Sequence, residues 1–425
     1  MNSTGAISSI SVAVGDFNKD HRLDIVVVNN DTGGIDILVG RYEGFQNQIR
    51  YSAGSKPSSV AIGDVNIDTR LDIIIANAGS NDVSVLLGYG NGSFENQTKY
   101  SVGSSPLSVA IGDVNNDTRL DIVVANYYSD DLSILLGYGN GSFENQTRYS
   151  IGSHPSSVAI GDVNNDTRLD IVVANSWSDD VSVHLGYGNG SFENQTRYSV
   201  GFYPQSVAIG DVNNDTRLDI VVANYYSDDV SVLLGYGNGS FENQTRYSAG
   251  SSPQSVAIGD VNNDTRLDIV VANYYSDDVS VLLGYGNDSF ENQTRYSVGS
   301  HPYSVAIGDI NNDTRLDIVV ANLDSNDVSI LLGYGNGSFE NQTRYSVGSS
   351  PRSVSIGDVN NDTRLDIVVT NWDSNYVSIL LGYGNGSFEN RTSYLVGYNP
   401  SFVAIGDVNN DARLDIVVAN RNSYD

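Results

Sequence analysis

A nine-residue pattern of oxygen-bearing side chains recurs along this sequence, and its residues are suited to bind a metal ion. The pattern is D-x-N-x-D-x-R-x-D, and one copy consists of Asp260, Asn262, Asp264, Arg266 and Asp268. Oxygen donors at alternate positions of a tight loop suit a hard cation with roughly six to eight oxygen ligands, and three carboxylates favour calcium over magnesium. An EF-hand is excluded, because its twelfth position is a bidentate Glu and this loop has Val271 there.

The pattern occurs nine times, and every copy keeps the three aspartates and the asparagine. The expected ligands, with each Arg contributing only its backbone carbonyl, are Asp16, Asn18, Asp20, Arg22, Asp24, Asp64, Asn66, Asp68, Arg70, Asp72, Asp113, Asn115, Asp117, Arg119, Asp121, Asp162, Asn164, Asp166, Arg168, Asp170, Asp211, Asn213, Asp215, Arg217, Asp219, Asp260, Asn262, Asp264, Arg266, Asp268, Asp309, Asn311, Asp313, Arg315, Asp317, Asp358, Asn360, Asp362, Arg364, Asp366, Asp407, Asn409, Asp411, Arg413 and Asp415. A turn that binds nothing is the alternative, since Asp and Asn are common in turns. The loops hold 27 of the 51 acidic residues, and carboxylates crowded this closely repel one another unless a cation lies among them. We therefore expect Ca²⁺ as a structural cofactor.

Composition excludes several classes of function. A formal charge of −29 argues against a nucleic-acid partner and against docking on anionic lipid. The absence of cysteine excludes disulfides, thiolate zinc sites and cysteine nucleophiles. The four histidines occupy unequal repeat positions, and no G-x-S-x-G motif precedes a helix, so we expect no enzyme. No apolar run approaches the length of a membrane span, so we also expect no membrane insertion.

The loops belong to a repeat of 48 or 49 residues, and all eight prolines follow the same spacing. Residues 1–425 therefore form a single repeat domain with nine copies of one unit, the last of them incomplete. Four short runs, bounded by Gly, Asn, Asp or Ser, predict the strands of one unit at 255–259, 267–272, 279–283 and 294–298. No stretch has the length and spacing of a helix.

Four short strands per unit predict an all-β fold. The second strand is apolar on both faces, so both of its faces must be covered by neighbouring copies. This pattern favours a β-propeller of four-stranded antiparallel blades, with about eight blades and with seven or nine as alternatives. A β-solenoid is the main rival, although its coils usually repeat with far fewer residues.

The loop, followed by LDIVVAN, VSVLLGYGNGSF and a Gly-x-x-Pro turn, resembles the FG-GAP/VCBS repeats, whose best-known relative is the N-terminal propeller of integrin α-subunits. The resemblance covers roughly residues 10 to 420. It implies a propeller whose first hairpin loop in each blade holds Ca²⁺, usually in cell adhesion or ligand binding. The family usually has Gly at the sixth loop position, whereas this chain has Thr in seven copies and His21 and Ala412 in the others. If that position needs a positive φ, Thr there costs about 1 kcal/mol or more, which bears on calcium affinity.

Differences among the copies indicate a second candidate site. Aromatic residues vary after the second strand and around the proline that follows the fourth strand, at Tyr127, Trp177, Tyr203, Tyr225, Tyr274, Tyr303, Trp372 and Tyr398. In an up-and-down blade these two loops share a face, opposite the calcium loop. We therefore predict a ligand rim for a protein or a glycan, since aromatic residues beside Asp suit both. Neutral drift of exposed loops is the alternative.

The function expected from these observations is an extracellular or cell-surface calcium-binding module for adhesion or ligand binding. A structural spacer array without a specific ligand is the alternative, and a propeller enzyme is a further one. Extracellular calcium modules work at millimolar calcium concentrations. The chain also has 22 N-x-S/T sequons, the acceptor sites for N-glycosylation, as expected of a glycoprotein. No signal peptide follows Met1, so we expect the chain to be a fragment of a longer protein.

Overall fold

The computed structural model describes residues 51–89, 93–360 and 362–395 with their side chains, and the strands between 14–50 and 400–420 as backbone alone. Seven sheets of four strands follow one another along the chain, and the strands of each sheet pair antiparallel in chain order. No helix occurs in these described ranges.

The strand bounds repeat from blade to blade. The first strands are Pro57–Gly63, Pro106–Gly112, Pro155–Gly161, Pro204–Gly210, Pro253–Gly259, Pro302–Gly308 and Pro351–Gly357. The second strands are Asp72–Asn77, Asp121–Asn126, Asp170–Asn175, Asp219–Asn224, Asp268–Asn273, Asp317–Asn322 and Asp366–Asn371. The third strands are Asp82–Leu86, Asp131–Leu135, Asp180–His184, Asp229–Leu233, Asp278–Leu282, Asp327–Leu331 and Tyr376–Leu380. The fourth strands are Thr98–Ser101, Thr147–Ser150, Thr196–Ser199, Thr245–Ser248, Thr294–Ser297, Thr343–Ser346 and Thr392–Leu395.

Burial explains why each strand has its sequence. The second strand is buried at every position, which accounts for the uninterrupted apolar run in Asp268–Asn273. Its two faces pack against different neighbours: Val270 and Ala272 share a core with Ile318 and Val320 of the next blade. The fourth strand, by contrast, is mostly exposed and polar, because it forms the outer edge of its sheet.

An eighth sheet joins the two ends of the repeat. It contains Val14–Gly15, Asp24–Asn29, Gly34–Leu38 and Ile49–Ser52 of the first copy together with Pro400–Gly406 and Asp415–Asn420 of the ninth. The first and ninth copies meet where Asn29 pairs with Asn420, and a small hairpin joins Gly40–Arg41 to Gly44–Phe45. Because the first and last copies share this sheet, the array closes into a ring. An open solenoid would leave its two ends apart. The prediction of an all-β propeller of about eight blades is confirmed.

First strands of successive blades lie side by side, so they surround the axis of the ring. Chain direction then places the loop after the first strand and the loop after the third strand at one end of each blade. The loop after the second strand and the segment after the fourth lie at the opposite end. No helix long and apolar enough to cross a bilayer is found within the described ranges.

Candidate calcium loops and ligand rim

The nine-residue loop joins the first and second strands of a blade, and the same hydrogen bonds recur within it in the seven copies that are described. In the loop that starts at Asp260, the Oδ1 atoms of Asp260 and Asn262 both accept a hydrogen bond from the N–H of Asp264, at 3.0 and 3.1 Å. The other oxygen of Asp260 accepts from the N–H of Thr265 at 2.8 Å. The first and third side chains therefore converge on the middle of the loop, as their alternate spacing predicts.

Two residues of the loop have left-handed backbone conformations. Asn263 at the fourth position has φ 57° and Thr265 at the sixth has φ 71°. The sixth-position threonines have φ between 64° and 71° and are Thr69, Thr118, Thr167, Thr216, Thr265, Thr314 and Thr363. The sixth position thus needs a positive φ, which Gly adopts freely and a β-branched residue adopts at a cost of about 1–2 kcal/mol. The loop therefore adopts this conformation although Thr is unfavourable at the sixth position.

The ninth-position aspartate connects the loop to the rest of the blade. Asp268 is fully buried, and its two oxygens accept hydrogen bonds from the N–H groups of Val261 and Gly284, both at 2.8 Å. Burial raises the pKa of Asp268 to about 6; the Gly284 and Val261 N–H groups oppose this rise, and the nearby carboxylates of Asp264 and Asp260 add to it. Gly284 belongs to the connection between the third and fourth strands, so this one carboxylate holds two loops together.

The donor set of the loop fits calcium in its chemistry, because two carboxylates and an amide oxygen occupy alternate positions of a tight turn. The carboxylate of Asp264 is engaged by Arg266, whose Nη1 lies 3.5 Å from Oδ2. Asp268 directs both oxygens to backbone N–H groups instead. Across the described ranges, no group of three or more His, Asp or Glu side chains is arranged to hold a metal ion. The predicted calcium ligands therefore remain a prediction.

One blade brings an additional carboxylate to its neighbour. Asp288 occupies a place where other copies have Gly, keeps a positive φ of 69°, and accepts a hydrogen bond of 2.9 Å from the side chain of Asn213. Asn213 is the third residue of the loop in the preceding blade. The sequence places these two residues 75 positions apart, so the linear pattern gave no indication of this contact.

The loops of the first and ninth copies, at 16–23 and 407–414, lie outside the described residues. The same holds for the side chains of Asp24 and Asp415 and for Tyr398 of the rim.

At the opposite end of the blades, the loop after the second strand contacts the segment that leads into the first strand. The N–H groups of Tyr127 and Tyr128 donate to the carbonyls of Ser105 and Ser104, at 2.9 and 3.0 Å. Equivalent bonds join Tyr225 to the Tyr203 carbonyl and recur in the other described blades. The two variable segments therefore share a face, as the sequence predicts, and we refer to this face as the rim.

Aromatic contacts run along the rim from blade to blade. Ring centroids lie 6.2 Å apart for Tyr203 and Tyr225, 6.3 Å for Tyr225 and Tyr274, and 6.2 Å for Tyr274 and Tyr303. Four further contacts continue the series. Arg352 lies over the rings of Tyr303 and Trp372, and Trp177 stacks on His154, which contacts Tyr127. The structure thus brings together the seven rim residues that it describes.

Exposure divides these residues into two groups. Tyr127 and Tyr225 are buried, at 7% and 5% exposure, so they support the rim and do not form its surface. Their pKa values are raised, chiefly by burial. The tyrosines that follow Tyr127, Tyr225 and the half-buried Tyr274 are exposed: Tyr128 at 60%, Tyr226 at 65% and Tyr275 at 61%. The sequence located these variable pairs but assigned the first tyrosine of each pair to the rim; the copy with Ser176 before the exposed Trp177 was an indication that the second position faces solvent.

The fold and these features define a β-propeller with an Asp-rich loop at one end of each described blade and an aromatic rim at the other. The chain belongs to the family of FG-GAP-like repeats, as the sequence predicts. Matches to this family cover residues 16–75, 64–124, 113–173, 162–222, 211–271, 260–320, 309–369 and 358–418. The comparison with curated proteins found no significant match.

Several solved propellers have a similar fold. A lectin of Agrocybe aegerita that recognises non-reducing terminal N-acetylglucosamine shares 15% identity, over 94% of this chain and 96% of the lectin, with a TM-score of 0.51. Dihydro-heme d1 dehydrogenase NirN shares 15% identity over 93% of this chain and 78% of its own, with a TM-score of 0.65. The BBS1N chain, solved in complex with ARL6DN, shares 12% identity over 79% and 91%, with a TM-score of 0.50. At these identities the likeness shows the fold alone.

Proposed function

We propose that this protein is a calcium-binding propeller that binds a protein or glycan ligand through its rim, without catalysing a reaction. The observation that carries the proposal is the arc of outward aromatic residues on consecutive blades, Tyr128, Trp177, Tyr226 and Tyr275, each about three-fifths exposed. Exposed aromatic side chains supply large contact area at low conformational entropy, and they are frequent anchors in protein and sugar binding.

Calcium is proposed at the opposite end of the blades, where it would stabilise the scaffold. The carboxylates of Asp260 and Asp264, the amide of Asn262 and the carbonyl of Arg266 would hold the ion, and the cation would replace the Arg266 side chain as the partner of Asp264. The ion would neutralise the crowded negative charge. Support comes from the convergence of Asp260 and Asn262 on one N–H group and from the repetition of this geometry in the described loops.

A binding function is favoured over catalysis by the geometry of the polar groups on the rim. Ser153, His154 and Asp130 lie together, with 2.9 Å between the serine Oγ and the histidine Nδ1 and 3.3 Å between Oγ and the Asp130 carboxylate. In a hydrolytic triad the serine contacts the other ring nitrogen, and the aspartate holds Nδ1. This group therefore lacks the arrangement that would activate Ser153.

Among the similar propellers, the lectin and BBS1N are named for binding a sugar and a protein, which fits the proposed function. An extracellular or cell-surface location is part of the proposal, because millimolar calcium there would fill weak sites. Exposed sequons such as Asn243-Gln244-Thr245 are compatible with glycosylation at that location.

The test is a glycan array and a pull-down from extracellular protein, each performed in millimolar Ca²⁺ and in EDTA. We expect binding in calcium, and we expect Trp177→Ala and Tyr226→Ala to weaken it at least tenfold. Tyr236→Ala is the matched control, because Tyr236 is 51% exposed at the calcium-loop end. If Tyr236→Ala abolished binding of the ligand while the two rim variants still bound it, the ligand would bind at the calcium-loop end and the proposal would be refuted.

A further inference from the structure

A cluster of polar and aromatic side chains lies on one sector of the rim, where three consecutive blades meet. Its centre is Arg352, the second residue of an innermost strand. The guanidinium carbon lies 3.6 Å from the ring centroid of Trp372 in the same blade and 5.3 Å from that of Tyr303 in the preceding one. The other described blades have Ser, Leu, Gln or Tyr at this place, so the cation is specific to one blade.

Among the described residues, these rings and not an anion contact the guanidinium of Arg352. Its Nε atom is buried without a hydrogen-bond partner, and no ion pair joins Arg352 to another described residue. An arginine stacked on an aromatic face keeps its in-plane N–H groups for a carboxylate, which it binds with two parallel hydrogen bonds. In a chain with a formal charge of −29, a cation that has no acidic partner within the described part of the chain is unusual.

Groups that bind hydroxyls lie in the preceding blade of the same sector. His301 Nδ1 is 2.8 Å from Asp324 Oδ2, and the His301 ring lies 4.5 Å from the ring of Tyr274. Burial is the main cause of the raised pKa of Tyr274; the charge of Asp324 adds to the rise and that of Arg352 opposes it, so both charges act on the same phenol. Asp324 is half exposed and is the acceptor available to ligand hydroxyls.

We propose that this cluster binds an acidic sugar, with Arg352 holding its carboxylate, Asp324 accepting from its hydroxyls, and the Tyr303 and Trp372 rings providing apolar contact. A sugar with a single carboxylate matches the single cation of this cluster, whereas a peptide rich in Asp and Glu would bring further negative charge towards Asp324. The inference rests on the proposed function, because it identifies the ligand class that one sector of the rim selects.

The experiment measures Kd by ligand-observed NMR in millimolar Ca²⁺ for methyl glucuronide and for methyl glucoside, which differ only in the carboxylate. We expect the wild-type chain to bind the glucuronide at least tenfold more tightly. Arg352→Gln should abolish this preference. Arg352→Lys should retain part of it, because an ammonium keeps the charge but lacks the planar guanidinium that donates two parallel hydrogen bonds. Arg391→Gln removes the same charge from an exposed residue outside the rim and should leave the preference unchanged.

Equal affinity for the two sugars, or a preference that survives Arg352→Gln, would overturn the inference. Tighter binding of an Asp/Glu pentapeptide than of the glucuronide would overturn the sugar assignment as well. Melting curves in calcium check that each variant is folded. If Arg352→Gln does not fold, the effect on the preference is measured with Arg352→Lys alone. If the glucuronide does not bind but the array yields a ligand whose binding needs Trp177, the acidic-sugar inference is wrong and the proposed function stands. If no ligand binds at all, both the inference and the proposed function are wrong.

Discussion

Replacement of the sixth-position threonine by glycine should stabilise the metal-free protein. The seven described threonines at this position have φ between 64° and 71°, where a non-glycine residue costs about 1–2 kcal/mol. Glycine removes that cost but loses about 0.5–1 kcal/mol through the greater entropy of the unfolded chain. A net gain of about 0.5–1 kcal/mol per loop therefore amounts to about 4–7 kcal/mol when all seven are replaced.

The corresponding change in Tm follows from chain size. An unfolding entropy of roughly 2.1 cal/mol/K per residue gives about 0.9 kcal/mol/K for 425 residues. The sevenfold Thr→Gly variant should then melt about 4–8 °C higher in EDTA, as followed by circular dichroism. The sevenfold Thr→Ala variant is the control, because alanine keeps the left-handed strain and should give little or no gain. If both variants melt at the same temperature as the wild type, the loop conformation assigned to this position is wrong.

Further predictions concern the metal, the loops and the rim. Millimolar Ca²⁺ should raise the Tm strongly, since each ion binds only the folded state; superimposable melts in Ca²⁺ and EDTA would contradict the calcium proposal. Asp264→Ala should lower the number of bound ions by about one in metal analysis, and simultaneous loss of all ions would show that the loops are not independent. Asp288→Asn should weaken one calcium site by about 1 kcal/mol in a calcium titration, because a carboxylate next to Asn213 is neutralised; unchanged affinities would exclude a role for Asp288. Tyr225→Ala should destabilise the fold by about 3–5 kcal/mol in urea, whereas the exposed Tyr226→Ala should change it by less than about 0.5 kcal/mol; equal effects would refute the assignment of buried and exposed positions.

Strand positions were predictable to within two residues. The runs at 255–259 and 267–272 correspond to Pro253–Gly259 and Asp268–Asn273, and those at 279–283 and 294–298 to Asp278–Leu282 and Thr294–Ser297. Local chemistry suffices here, because short runs of β-branched residues bounded by Gly, Asn and Asp favour strands, and the same run recurs in every copy. Repetition of the unit then indicated the propeller.

The candidate sites were predictable in place but not in detail. Alternate spacing identified the face of the loop on which Asp260 and Asn262 converge. It did not reveal that Asp268 also connects the loop to another part of the blade, where it accepts a hydrogen bond from the N–H of Gly284. The variable pair after each second strand was recognised, yet only packing against the neighbouring blade shows that Tyr225 is buried and Tyr226 is exposed.

The amino-acid sequence was sufficient for everything that depends on residues close together in the chain: the strands, the Asp-rich turn and the identity of the repeating unit. Tertiary structure decided what depends on neighbouring blades, namely the closure of the ring by Asn29 and Asn420, the contact of Asp288 with Asn213, and the position of Arg352 between Tyr303 and Trp372. The physical reason is that contacts between blades join residues that lie one or more repeats apart in the sequence. The repeat period indicates which strands are neighbours, but it does not indicate which side chains meet across the interface between two blades.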